Sequence, residues 1–115
     1  MIEQHALELL MKARGYVWDG SRDCFIPQTI IPSKTYQQAL AECQDLNILA
    51  NEIWDKYKGW DGWVITIYPF SIEIDKLAGA VGREPITVDR KNKNIQLAAF
   101  YATAAALEAE KEKIK

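Results

Sequence analysis

The sequence is poor in the residues that build catalytic and metal centres. It has one histidine, His5, and two cysteines, Cys24 and Cys43, in 115 residues. A Ser-His-Asp or Cys-His arrangement would have to use His5, which no spacing motif links to either cysteine. A structural zinc site needs four nitrogen or sulfur ligands at set spacings, and no Cys-x-x-Cys pair is present. Two cysteines are too few for a disulfide framework, so we expect free thiols, no catalytic residues, no metal and no cofactor.

The chain also lacks a basic excess and a long hydrophobic run. Its 14 Lys and Arg residues stand against 16 Asp and Glu residues, for a net charge of −2. Nucleic-acid binders usually carry a positive excess, so nucleic acid is a disfavoured partner. The longest nearly continuous apolar run, residues 97–107, falls short of the ~20 residues that span a bilayer. No signal-peptide pattern opens the sequence, so we expect a cytoplasmic protein without membrane association.

Size and composition are those of one globular domain. Hydrophobic residues make up 49% of the chain and charged residues 26%, which are ordinary values for a folded protein. We therefore expect residues 1–115 to form a single domain. The charged stretch over residues 108–115 is expected to fray as a tail.

Helical periodicity appears in three segments: residues 2–13, 34–58 and 94–112. In the middle segment, Thr35 and Gln38 have the spacing of a capping box. As one straight helix this segment would be longer than the domain is wide. We therefore predict a break near residues 45–47, with Asn47 as the cap of the second part.

Strand patterns predict the rest of the fold. Residues 16–26 fit a hairpin that turns at Asp19-Gly20. Residues 63–68 form the clearest strand, and its two apolar faces predict a central strand covered on both sides. Residues 86–88 fit a further strand, while residues 70–84 fit either a short helix or an edge strand. The predicted class is α/β of the α+β type, with two to three helices on a small, mostly antiparallel sheet of three to five strands.

Aromatic side chains are concentrated in one part of the sequence. Five of them lie within fifteen residues: Trp54, Tyr57, Trp60, Trp63 and Tyr68. Such residues fill cores, and they are also enriched at interfaces. The candidate binding residues are Trp60, Asp61, Trp63 and Tyr68. An alternative hypothesis is a small-molecule or enzymatic pocket lined by Trp60, Trp63 and Tyr68, with Asp61 or Asp55 as its polar group.

Two further segments each allow two interpretations. The alanine-rich helix over residues 97–109 can pack on the sheet of its own chain or form the seam of a homodimer. Three cations, Arg90, Lys91 and Lys93, can lie in a solvated turn or contact phosphates. The sequence does not decide between the two interpretations of either segment.

Three stretches together resemble the small phage-encoded domains described as α/β/α sandwiches. Residues 32–40, Pro-Ser-Lys-Thr-Tyr-Gln-Gln-Ala-Leu, are similar to the entry to their central helix. Residues 61–65, Asp-Gly-Trp-Val-Ile, are similar to a strand that begins with Gly-Trp, and residues 97–108 are similar to an alanine-rich final helix. The resemblance implies a fold and a phage or prophage origin, and it implies no activity.

The absence of a catalytic set, the aromatic group and the alanine-rich helix favour one function. We expect a non-enzymatic module that binds a protein partner, with a homodimer through residues 97–109 as one form of that contact.

Overall fold

The structure, a computed structural model, describes residues 1–58, 62–76 and 86–113. The elements in chain order are α1 (Glu3–Ala13), β1 (Tyr16–Asp19), β2 (Cys24–Pro27), β3 (Lys34–Thr35), α2 (Tyr36–Cys43), α3 (Leu46–Leu49), a π-helix (Ala50–Trp54), α4 (Asp55–Tyr57), β4 (Trp63–Tyr68), β5 (Ser71–Lys76), β6 (Ile86–Lys91) and α5 (Ile95–Lys113). The strands form two antiparallel sheets, ordered β1-β2-β3 and β4-β5-β6. The α+β class is confirmed, with the strands divided between two sheets.

The first hairpin forms as predicted, but its turn differs in detail. β1 pairs with β2, and Asp19 lies opposite Cys24. The left-handed residue is Asp23, with φ of 55°, and neither Asp19 nor Gly20 adopts a positive φ. The Asp19 carboxylate instead accepts hydrogen bonds from the backbone N–H and hydroxyl of Ser21. An aspartate that bonds to a backbone group two residues on makes a turn without a left-handed Asp-Gly pair.

The middle helical region contains the predicted break. The Thr35–Gln38 capping box begins α2, and the helix stops at Cys43. The cap of the next helix is Asp45, whose carboxylate accepts from the backbone N–H groups of Asn47 and Ile48. The prediction of Asn47 as the cap was wrong by two residues, since a capping side chain precedes the N–H groups that it satisfies.

The last helix, α5, lies at the centre of the molecule. It packs on α1 along one side and on β5 and β6 along another. Five of its alanines are buried within the chain: Ala98, Ala99, Ala102, Ala104 and Ala106. Small side chains allow this close approach on several sides. Tyr101, Ala105 and Ala109 are partly exposed on the remaining side, and the homodimer through residues 97–109 stays a prediction. The helix extends to Lys113, through most of the predicted tail, and residues 114–115 lie outside the described residues.

The prediction of a central, doubly covered strand over residues 63–68 was wrong. β5 is the central strand, and β4 lies at the edge of its sheet. Ile72 and Ile74 of β5 are buried under α5, whereas Val64 and Ile67 of β4 are exposed. The residue types of β4 match those of a buried strand, and only the strand order shows that it is an edge. Residues 70–84, for which the sequence allowed a helix or a strand, contain β5 at residues 71–76. The remainder, residues 77–84, lies outside the described residues.

None of the helices in the described part of the chain combines the length and hydropathy needed to cross a bilayer.

Candidate functional site

The structure does not assemble the predicted aromatic site. Trp60 and Asp61 lie outside the described residues. Trp63 is a core residue with 2% of its surface exposed, and its ring stacks on Tyr57 with centroids 4.4 Å apart. The Trp63 indole Nε1 donates to Oε1 of Glu110, 3.1 Å away. Trp63 therefore joins the sheet to α5 and is not available to a ligand.

Tyr68 lies at the opposite end of β4 from Trp63. The two positions are five steps apart along the extended chain, which is about 17 Å. Their side chains also point to opposite faces, because the separation is an odd number of residues. Trp63 and Tyr68 cannot line one pocket, so the structure does not bring together the pocket predicted from these two residues.

Tyr68 instead meets side chains from another part of the sequence. The turn that follows it exposes Phe70, and Lys91 and Lys93 come from the end of β6 and the segment after it. Together they border a shallow concavity of about 590 Å³. We call Tyr68, Phe70, Lys91 and Lys93 the aromatic–basic patch. The register explains it, because Tyr68 pairs with Ser71 and Ser71 pairs with Lys91 across three strands.

The three cations predicted as one cluster are divided by the sheet. Lys91 shares the outer face with Tyr68, while Arg90 is one residue away and points to the other face. Arg90 lies near Tyr101 at a second concavity of about 310 Å³. The alternation of a strand therefore separates side chains that are adjacent in the sequence.

The edge of β4 has an unusual composition for an open strand. Trp63–Tyr68 contains no charged residue and no proline, and no described strand pairs with its outer edge. Four large apolar side chains at or next to it are exposed: Val64 by 55%, Ile67 by 54%, Tyr68 by 46% and Phe70 by 65%. Natural proteins usually protect such edges with charge, proline or a covering element.

The opposite edge of the same sheet has that protection. β6 carries Asp89, Arg90 and Lys91 in its six residues. On the outer face, Glu73 of β5 lies between Thr66 and Asp89. The neighbouring carboxylate of Asp75 raises the pKa of Glu73. The outer face is thus acidic along its middle and basic at the turn after β4.

Three further large apolar side chains are exposed in the part of the chain that contains the first sheet. They are Val17 in β1 and two residues of the loop before β3, Ile30 and Ile31. The edge strand there, β1, has four residues and ends in Asp19. It offers a shorter edge than β4 and one that carries a charge.

A cluster of four charged side chains around Arg14 is structural. The Arg14 side chain is 3% exposed and reaches Glu42 at 2.7 Å and Glu52 at 3.2 Å. Burial acts to lower the pKa of Arg14, but the two carboxylates outweigh it and raise the pKa. Lys34 also binds Glu42, at 2.8 Å. Arg14 thereby ties the end of α1 to α2 and to the π-helix, a role that the sequence did not show.

The remaining chemistry-bearing residues have ordinary partners. His5 lies 3.1 Å from Glu108, between α1 and α5. Among the residues that the structure describes, no three His, Cys, Asp or Glu side chains are grouped as metal ligands would be. Tyr36 donates to Glu3, and burial together with this carboxylate raises the pKa of its phenol to about 12. None of these groups is arranged as a nucleophile with a base.

The two thiols should differ in reactivity. Cys43 is buried between Arg14 and Met11, and burial raises the pKa of its thiol to about 11. Cys24 is free and partly exposed. Because the thiolate is the reactive form, a disulfide reagent at about pH 8 should modify Cys24 in the folded protein and spare Cys43.

Mass-spectrometric peptide mapping would locate the modified thiol. The Cys24→Ser variant should be unreactive until denaturant is added. Rapid modification of Cys43 in folded Cys24→Ser protein would contradict the buried position.

No family model, curated protein or solved structure matches this chain.

Proposed function

We propose that the chain is a non-enzymatic protein-binding module that accepts an extended segment of a partner protein along β4. The observation that carries this proposal is the uncharged edge of β4, with which no strand in the described ranges pairs and on which Val64, Ile67 and Tyr68 are exposed. An edge strand presents unpaired backbone N–H and C=O groups. An added strand satisfies those groups and covers the apolar side chains beside them.

The same sheet explains why one edge, and not both, would receive a partner. The charges of Asp89, Arg90 and Lys91 oppose strand addition at β6. β4 has no such charge, and the described part of α5 lies on β5 and β6. A partner strand therefore has its least hindered approach along β4.

The aromatic–basic patch indicates the chemistry of the partner segment. Branched or aromatic residues of the partner would pack against Val64 on the outer face and against Ile67 on the opposite face. An acidic residue at the end beside Tyr68 would lie near Lys91 and Lys93. A nucleic acid fits less well, because Arg90 points away from these lysines and Glu73 and Asp89 lie on the same face.

A display library of random peptides of about 12 residues, selected against the folded chain, tests the proposal. Ile67→Pro is the edge variant, because the two-residue turn after Tyr68 leaves the N–H of Ile67 directed outward. Thr87→Pro is the matched control, since the N–H of Thr87 is directed outward on the opposite edge. Circular dichroism would verify that both variants fold.

We expect selected peptides to bind Ile67→Pro about tenfold or more weakly than the unmodified chain, since a lost backbone hydrogen bond and a displaced strand each cost on the order of 1 kcal/mol. Thr87→Pro should bind them with unchanged affinity. Peptides whose affinity is the same for all three chains would contradict strand addition at β4.

A further inference from the structure

We infer that a second copy of this chain can supply the partner strand, by antiparallel pairing of β4 with β4 across a two-fold axis at Thr66. The inference rests on the proposed function, since it uses the same edge. Because the partner is a second copy of the chain, its contact surface is the β4 edge described above.

The backbone of β4 permits this pairing. The two-residue turn at Pro69 and Phe70 makes Tyr68 and Ser71 a hydrogen-bonded pair. Every second residue from Tyr68 then directs its N–H and C=O to β5, and Ile65 and Ile67 direct theirs outward. Antiparallel pairing about Thr66 sets Ile65 opposite the partner's Ile67, so the outward groups of both copies meet.

The side chains of β4 are self-complementary in this register. On the outer face Thr66 lies opposite its own copy, and Val64 lies opposite the partner's Tyr68. Threonine pairs and pairs of aromatic with β-branched residues are among the favourable cross-strand pairs. β4 carries no charge, so two copies meet without like charges at the contact.

Charges farther from the edge are also compatible with the antiparallel orientation. The outer face is basic near Tyr68, at Lys91, and acidic near Val64, which pairs with Asp75. A two-fold axis reverses the strand direction. The basic end of each copy therefore lies toward the acidic end of the other, but Lys91 and the partner's Asp75 are four strand spacings apart, about 19 Å, so these charges add little to the orientation set by the backbone.

The contact is small, which sets its expected strength. Stable interfaces bury about 1,200–2,000 Å² in total, and one pair of six-residue strands supplies less than that. We therefore expect a dimer that dissociates in the range of about 1–100 µM. The dimer would join the two sheets into one continuous six-stranded sheet, and the α5 helices would lie on the same side of it.

Sedimentation velocity of the full chain from about 1 to about 500 µM measures this equilibrium. Thr66→Lys places two cations opposite each other on the axis, and should weaken the dimer about tenfold or more. Thr87→Lys puts the same charge on the same face but on β6, and should leave the equilibrium unchanged. Thermal unfolding of both variants would verify that they remain folded.

Cross-linking supplies a second measurement that does not depend on losing a contact. Residues in a non-hydrogen-bonded antiparallel pair have Cα atoms about 4.5 Å apart, within the range that a disulfide bridges. In a Cys24→Ser background, Thr66→Cys should form a covalent dimer with oxidised glutathione, and Thr87→Cys should not.

The outcomes separate this inference from the proposed function. A chain that is monomeric at about 500 µM, or a Thr66→Lys variant that dimerises as the unmodified chain does, overturns the β4 dimer. If peptides that are sensitive to Ile67→Pro are still selected, the proposed function stands without the dimer. If, in addition, the selected peptides bind Ile67→Pro as tightly as the unmodified chain, both the dimer and the proposed strand addition at β4 are contradicted.

Discussion

Arg14→Met is expected to lower the free energy of unfolding by about 2–4 kcal/mol. The substitution keeps an unbranched side chain of similar length but removes every donor from a site that is 3% exposed. Glu42 and Glu52 would face each other across the vacated position without the cation that holds them. The figure lies at the lower end of the range for a broken buried pair, since both carboxylates keep partial contact with water.

Chemical denaturation at about pH 7 and at about pH 3 would measure this effect. Lys34 and Arg14 lower the pKa of Glu42 against the opposing influence of burial. The stabilisation from a lowered carboxyl pKa is present above the ordinary value and is lost as the pH falls through the folded-state value. The deficit of Arg14→Met should therefore shrink in acid.

Arg14→Lys provides the matched control. It keeps the charge but loses the planar fork that reaches two carboxylates, so its stability should lie between those of the unmodified chain and Arg14→Met. A change of less than about 0.5 kcal/mol in Arg14→Met would show that the cluster contributes no more than a surface ion pair.

Phe100→Ala is expected to cost about 3–5 kcal/mol, because it removes a large side chain from the centre of the molecule. Phe100 is fully buried on α5 and packs edge-on against Tyr101. A loss of this size is a large part of the stability of an ordinary domain, so the variant should unfold at a clearly lower temperature.

Phe70→Ala makes the same chemical change on the exposed turn after β4. It should change stability by less than about 0.5 kcal/mol and should weaken peptide binding at the aromatic–basic patch. Thermal and urea unfolding of both variants would test the contrast. Equal losses from the two substitutions would mean that Phe70 is covered within the chain, which would remove it from the proposed binding surface.

Local patterns in the sequence were sufficient for most of the elements. The capping box of α2 and the extent of α5 follow from a few neighbouring residues each. Interactions between neighbours along the chain do not depend on the rest of the fold, so their signals survive in the sequence. The break after α2 followed from a length argument and was also confirmed.

The candidate site depended on information that no local pattern contains. The aromatic–basic patch joins Tyr68 and Lys91 through a strand between them, and the sequence left the identity of that strand open. Trp63 and Tyr68, predicted to act together, are separated by the pleat and by the length of β4. The role of Arg14 also gave no signal, because a cation at the end of a helix is ordinary.

The sequence by itself determined most of the helices and strands and the α+β class, but it did not decide between helix and strand for residues 70–84. Only the tertiary structure decided which strand lies at an edge and what covers the alanines of α5. The physical reason is that the residue type sets whether a side chain favours burial, while the order of the strands decides which neighbours surround it. β4 has the composition of a covered strand and the position of an open one, and this difference is the basis for proposing that a partner strand covers it.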